Sequence, residues 1–165
     1  MIIFSNTTPF IALASIDQLS LLPRLFERIH VVQQVVDECR AGHRIRVPDL
    51  AKLPWIETVD ASSLIHPTLL LALDKGEKHT LDMAIKYQAD WVVIDEKIGR
   101  NVAEYLGLKV VGTLGVLLKA KQAGWIDSFT ENVLAMQSQG IFYHPGLIKK
   151  LAATIGESIA PCTGM

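Results

Sequence analysis

The sequence predicts an α/β protein, a three-layer α/β/α domain built on a central parallel sheet. Two observations carry this. Short apolar runs recur at residues 2–4, 30–32, 91–94 and 109–111, each bounded by turn or charged residues, as buried strands are. Apolar-striped segments with helix start and stop signals lie between them, and strands alternating with helices pair in parallel under helical cover. The stretch WVVIDEKIGRNVAEYLGLKVVGTLG, residues 91–115, holds a whole strand–helix–strand unit. Ligands of open parallel sheets bind beyond the carboxyl ends of the strands. Asp95 falls there, directly after the apolar run. It reads either as a metal-holding acid or as a plain cap of the next helix.

In chain order, Ile2-Ile3-Phe4 is the first strand. Thr8 as N-cap and Pro9 as first residue then open a buried helix through Ala14. Asn6, at the end of that strand, is by itself a turn residue with a local side-chain bond. A short helix capped by Asp17 is expected to end or bend at Pro23. After the strand at 30–32, residues 33–40 form a helix whose inner stripe is Val32, Val35, Val36 and Cys39. Glu38 borders that stripe and points inward or into solvent. Arg40, His43, Arg44 and Arg46 make the chief basic cluster, a phosphate-binding patch or a solvated loop. Residues 55–59 alternate like an edge strand.

Residues 62–73 read as helical, broken near Pro67. The next helix starts near Gly76, with Glu77 in its first turn, where the helix dipole favours an anion. His79 and Asp82 follow on that helix. The helix after Asp95 has Ile98, Val102, Tyr105 and Leu106 as its inner stripe and Gly107 as its stop. Thr113 caps a helix closed by Gly124. Asp127 or Ser128 starts another, and Pro145 opens the last. Residues 158–165 carry no pattern and read as a frayed tail, so a single domain is expected over 1–157.

Composition narrows the classes. Of 165 residues half are hydrophobic and a fifth charged, which suits one globular domain without disorder. A net charge of −1 leaves nucleic-acid binding to a local patch. Cys39 and Cys162, far apart, suggest no disulfide scaffold or zinc ribbon, which fits a reducing cytoplasm. No apolar run approaches the ~20 residues that span a bilayer, so no membrane role is expected.

The order SNTTPFIALA, VVDEC, LDKGEKHTLDMAIKYQAD and WVVIDEKIGRNVAEYLGLKVVGTLGVLLKAKQAGWI resembles the PIN-domain superfamily, in particular its DUF3368 branch, over residues 1–155. The resemblance implies a metal-dependent ribonuclease with acids gathered at the carboxyl edge of a parallel sheet. They would hold Mg²⁺ or Mn²⁺ through oxygen ligands, and the ion would activate water against a phosphodiester. By this likeness the metal and catalytic positions are Asn6, Glu38, Glu77 and Asp95, with Glu96 as a further ligand. Arg100 matches the family's Gly-Arg pair. Thr7, with Ser5 and Thr8, would orient the site. Arg40, Arg44, Arg46, Lys97 and Arg100 are candidates for the RNA backbone.

Two departures from the pattern matter. Asn6 stands where the family has Asp, keeping a coordinating oxygen but losing its charge. His79 stands where a further Glu is common. The expected activity is therefore a weakened Mg²⁺/Mn²⁺ endoribonuclease, the toxin of a pair with a small antitoxin protein. The alternative is a PIN-like module that has lost hydrolysis and serves binding or assembly. High hydrophobic content and the resemblance both suggest a homodimer.

Overall fold

The computed structural model describes residues 1–66 and 71–158. Five strands form one all-parallel sheet: β1 (Ile3–Ser5), β2 (Ile29–Val32), β3 (Ile56–Val59), β4 (Trp91–Val93) and β5 (Val110–Val111). Their order is β3-β2-β1-β4-β5. The chain runs outward from β1 to β3, then returns to the other side of β1 to lay down β4 and β5. The order therefore reverses between β1 and β4, which makes the space beyond those two strands the natural ligand site of such a sheet. The amide of Asn6 donates to the Val93 carbonyl at 3.0 Å, so β1 and β4 end level with one another.

Helices flank the sheet: α1 (Thr7–Ser15), α2 (Leu21–Phe26), α3 (Gln33–Arg40), α4 (Lys75–Lys86), α5 (Lys97–Tyr105), α6 (Thr113–Gln122), α7 (Phe129–Ser138) and α8 (Pro145–Thr154). Phe4, Ile29, Val31, Val92 and Val93 are fully buried, as parallel strands covered on both faces must be. The predicted fold class is the observed one. Strand 55–59 is indeed an edge, paired in parallel to β2 from Ile29↔Ile56 to Val32↔Val59.

Several local expectations are corrected. The first helix begins at Thr7 with Asn6 at the N-cap, not at Pro9, and the Asn6 side chain makes no capping bond. Pro23 lies inside the first turn of α2 rather than ending it, because a first-turn N–H has no helical partner to lose. Asp17 adopts a left-handed φ of 56° instead of capping that helix. Residues 62–66 are not helical. Buried Asp82 holds the amides of Ile65 and His66 at 2.8 and 2.9 Å, fixing them in an irregular path. Residues 67–70, where Pro67 was expected to break that helix, lie outside the described residues, as does all of the expected tail except Ser158.

The face of α5 is also turned. Ile98 is 58% and Tyr105 85% exposed, while Gly99 and Ala103 are buried. Those two small residues, four apart, let the helix axis approach its neighbours; Val102 and Leu106 of the expected stripe are part-buried against the core, and Ile98 and Tyr105 are left outside.

Among the described residues no helix is long and apolar enough to cross a membrane. The end of the described chain is stapled instead. Glu157 accepts from the amides of Phe129 and Thr130 at 2.9 and 3.0 Å and from the hydroxyls of Ser128 and Thr130 at 2.8 and 2.9 Å. It caps α7 from another part of the chain, alongside the N-cap bond of Ser128 itself. Burial acts to raise the Glu157 pKa, but these donors outweigh it and hold the carboxyl down at about 2. A depressed acid contributes stability above its ordinary range and loses it as pH falls towards the folded value. Glu157→Gln is expected to cost about 1 kcal/mol at pH 7, with the difference shrinking between pH 4.5 and 2. Urea melts across that window check it, and a constant difference would argue against the capping role.

Candidate active site

Asn6 ends β1 at the switch point and is only 2% exposed. Its Oδ1 is buried without a hydrogen-bond partner among the described residues. A buried carbonyl oxygen left unpaired is costly, so this atom suits a donor or a cation.

Glu38 reaches the same edge from α3. The hydroxyl of Thr7, next to Asn6, donates a very short hydrogen bond to Glu38 Oε2. The Glu38 carboxylate lies directly against Gly76 on α4: a Cβ built there would sit 2.6 Å from both carboxylate oxygens. Glycine at position 76 is thus what makes room for this carboxylate.

Glu77 follows on α4. Asp74 caps that helix, accepting from the Glu77 amide at 2.9 Å, and so sets the first turn in which Glu77 stands. Glu77 is 6% exposed. A Cβ at Gly99 of α5 would meet Glu77 Oε2 at 2.6 Å and Ile94 Cδ1 at 2.7 Å. The Glu77 carboxyl is pushed up to about 8, first by burial, then by Asp74, Glu96 and Glu38. Crowded acids raise one another in this way and call for a cation.

Asp95 has a different environment. Thr113 gives it both its amide to Oδ1 and its hydroxyl to Oδ2, each at 2.7 Å, and Tyr143 donates to Oδ2 at 2.9 Å. Asp95 Oδ1 also abuts Gly112, where a Cβ would come within 2.9 Å. Asp95 is therefore held against the start of α6 and the segment before α8. The charges that raise Glu77 include Glu96 and Glu38 but not Asp95. Burial, and then the Asp95 charge, raises the Tyr143 phenol well above its ordinary value, so it stays a donor. Glu96 is exposed at the N-cap of α5.

The basic candidates divide. Arg40 is bound to Asp49 through Nε and Nη2 at 3.0 and 3.1 Å. Arg44 donates a very short bond to the Gln139 carbonyl at the end of α7. Arg46 is exposed and, with Arg40 and His43, lines a shallow cleft of about 550 Å³. Lys97 and Arg100 instead line a cleft with Asp95. His79 lies on α4 with Nδ1 buried and without a partner among the described residues, and burial lowers its pKa.

Among the described residues no group of three or more His, Cys, Asp or Glu side chains is arranged to hold a metal ion. A hard divalent cation nevertheless fits a smaller set. The unpartnered Asn6 Oδ1, the glycine-seated Glu38 and the charge-crowded Glu77 are oxygen donors of the kind Mg²⁺ prefers.

Some of this could not be read from the residues. Tyr143 is 48 positions from Asp95 in the chain, and no pattern signalled its bond. The roles of Gly76 and Gly99 were hidden too, although Gly76 stands beside Glu77 and a glycine in a helical first turn is a signal of close approach.

An all-parallel α/β domain with two acids and an amide oxygen at its switch point belongs to the broad class of proteins that work at the carboxyl edge of a sheet. More particularly, residues 2–157 match the model of DUF3368, a PIN domain, and the chain belongs to that family. Membership points to a nuclease-like activity and to RNA as the usual ligand. No curated protein matches the chain.

Proposed function

We propose that this chain is a weak Mg²⁺- or Mn²⁺-dependent endoribonuclease, the toxin of a toxin–antitoxin pair, acting in the cytoplasm as one domain over 1–157. The observation that carries the reading is Asn6 Oδ1, buried and unpaired at the switch point beside two inward carboxylates. When bound, the metal supplies an activated water and neutralises charge on the phosphodiester. Asn6, Glu38 and Glu77 are the residues that would hold it. Thr7 fixes the orientation of Glu38 through its hydroxyl. Thr113 and Tyr143 hold Asp95 just past the end of β4, and Glu96 adds negative charge at the rim. Lys97 and Arg100 would hold the phosphate backbone. Arg46 is available to more distant RNA, whereas Arg40 and Arg44 already have protein partners.

The test is Asn6→Asp. The added charge is expected to tighten Mn²⁺ about tenfold, measured by calorimetry on both forms, and to raise cleavage of single-stranded RNA. Equal affinities would place Asn6 outside the metal's coordination.

A second reading, a PIN-like binding module without hydrolysis, is favoured by one observation. Asp95 already accepts three protein hydrogen bonds. On that reading Asn6→Asp restores no cleavage at any Mn²⁺ concentration.

We also propose a homodimer, since Ile98 and Tyr105 leave an apolar strip on α5. Light scattering at micromolar concentration should give twice the 18.2 kDa chain mass, and a monomer mass refutes it.

A further inference from the structure

Along edge strand β5, next to Asp95, a cleft of about 650 Å³ opens between α5, the start of α6 and the segment leading into α8. Its volume is in the range of ordinary small-ligand clefts. Leu114 and Leu118 of α6 line one part and Leu147 of α8 another. Two features keep it from being a plain apolar groove. Lys97 and Arg100 stand one helical turn apart on its α5 side, and neither is in an ion pair among the described residues. On the segment leading into α8, neighbouring residues divide their roles. Tyr143 reaches in to Asp95, while Phe142 lines the cleft and is 73% exposed. A phenylalanine that exposed contributes almost nothing to the core. The bond between Tyr143 and Asp95 ties the backbone beside it to the acid at the cleft's end.

We propose that this cleft seats the unpaired strand of RNA flanking the cleaved phosphodiester, with Phe142 stacking on a base and Lys97 and Arg100 taking the adjacent phosphates. The proposal rests on the ribonuclease reading above. An aromatic face set against a pair of cations is the arrangement that binds single strands, because every base has a π-face and every linkage a charge. A duplex is excluded from the stacking, since its bases already stack on one another. Glu104 lies further along the α5 side of the cleft. Its charge repels phosphate and so favours a backbone path at the Lys97–Arg100 end, beside Asp95.

The experiment is fluorescence anisotropy in EDTA, so that no RNA is cut, using a labelled 12-nucleotide oligouridylate and a duplex RNA of equal length. Phe142→Ala is expected to weaken the single strand about tenfold and to leave the duplex unchanged, while Phe142→Trp retains wild-type binding. Arg100→Ala is expected to lower the salt dependence of binding by about one phosphate contact. Unchanged single-strand affinity in Phe142→Ala overturns the proposal while leaving the ribonuclease reading intact. If the same variant also changes the sedimenting mass, the cleft is an interface between copies of the chain. Absence of single-strand binding by the wild type overturns the proposal.

Discussion

Gly76→Ala is expected to lower the already weak metal affinity at least tenfold without weakening the fold. Helix propensity alone favours alanine by about 0.5–1 kcal/mol, since Gly76 lies in α4 and needs no left-handed backbone. The new Cβ, however, would fall 2.6 Å from both oxygens of Glu38. Those oxygens end a flexible side chain, so relief comes from swinging Glu38 away rather than from moving backbone. The Thr7 hydroxyl loses its acceptor, and one of the two carboxylates leaves the proposed site. Mn²⁺ affinity should fall at least tenfold, with RNA cleavage falling alongside. Thermal melting should show a midpoint equal to or above wild type. A wild-type metal isotherm would show that Glu38 does not hold the ion. A midpoint lowered by several degrees would show that Glu38 has nowhere to go.

Glu77→Gln is expected to split stability from function most sharply. Burial, Asp74, Glu96 and Glu38 raise the Glu77 carboxyl to about 8, from an ordinary value of 4.5. Between those values the folded state keeps a proton that the unfolded chain releases. Stability is therefore full below pH 4.5 and declines as pH climbs towards 8. Glutamine is neutral throughout, so the variant should match wild type near pH 4.5 and exceed it by about 2 kcal/mol at pH 8, in EDTA. Adding Mn²⁺ should narrow the difference from the wild-type side, because a cation relieves the crowding that the variant lacks. The variant should lose metal binding and cleavage. Urea titrations at the two pH values decide it, and parallel curves for the two proteins would mean that Glu77 is not charge-strained.

The strands at 2–4, 30–32, 91–94 and 109–111 were legible because a buried parallel strand must be apolar on both faces. The starts of α7 and α8 were legible because Ser128 and Pro145 carry local end signals, and that of α4, placed near Gly76, lies one residue earlier, after the cap Asp74. Where local rules competed, they misled. Thr-Pro looked like a helix start, but the first turn tolerates Pro9 as its third residue, so α1 begins two residues earlier. In α5 the larger apolar residues suggested the inner face, yet Gly99 and Ala103 face in, because Glu77 and Ile94 come too close for anything bigger at position 99.

By itself, then, the sequence determined the fold class and where β1 and β4 end along the chain, and the resemblance to a family marked Asn6, Glu38, Glu77 and Asp95 as candidates. Strand periodicity and strand-end polarity are local properties, and they survive without knowledge of partners. The tertiary structure alone decided how those four side chains are held. Glu38 and Glu77 lie on glycines of neighbouring helices, and Asp95 is claimed by Thr113 and by Tyr143 from far along the chain. Arg40 and Arg44, two members of the basic cluster, are drawn off to Asp49 and to the end of α7. Hydrogen bonds and close contacts between distant segments depend on which surfaces meet, and that is fixed only once the helices have packed.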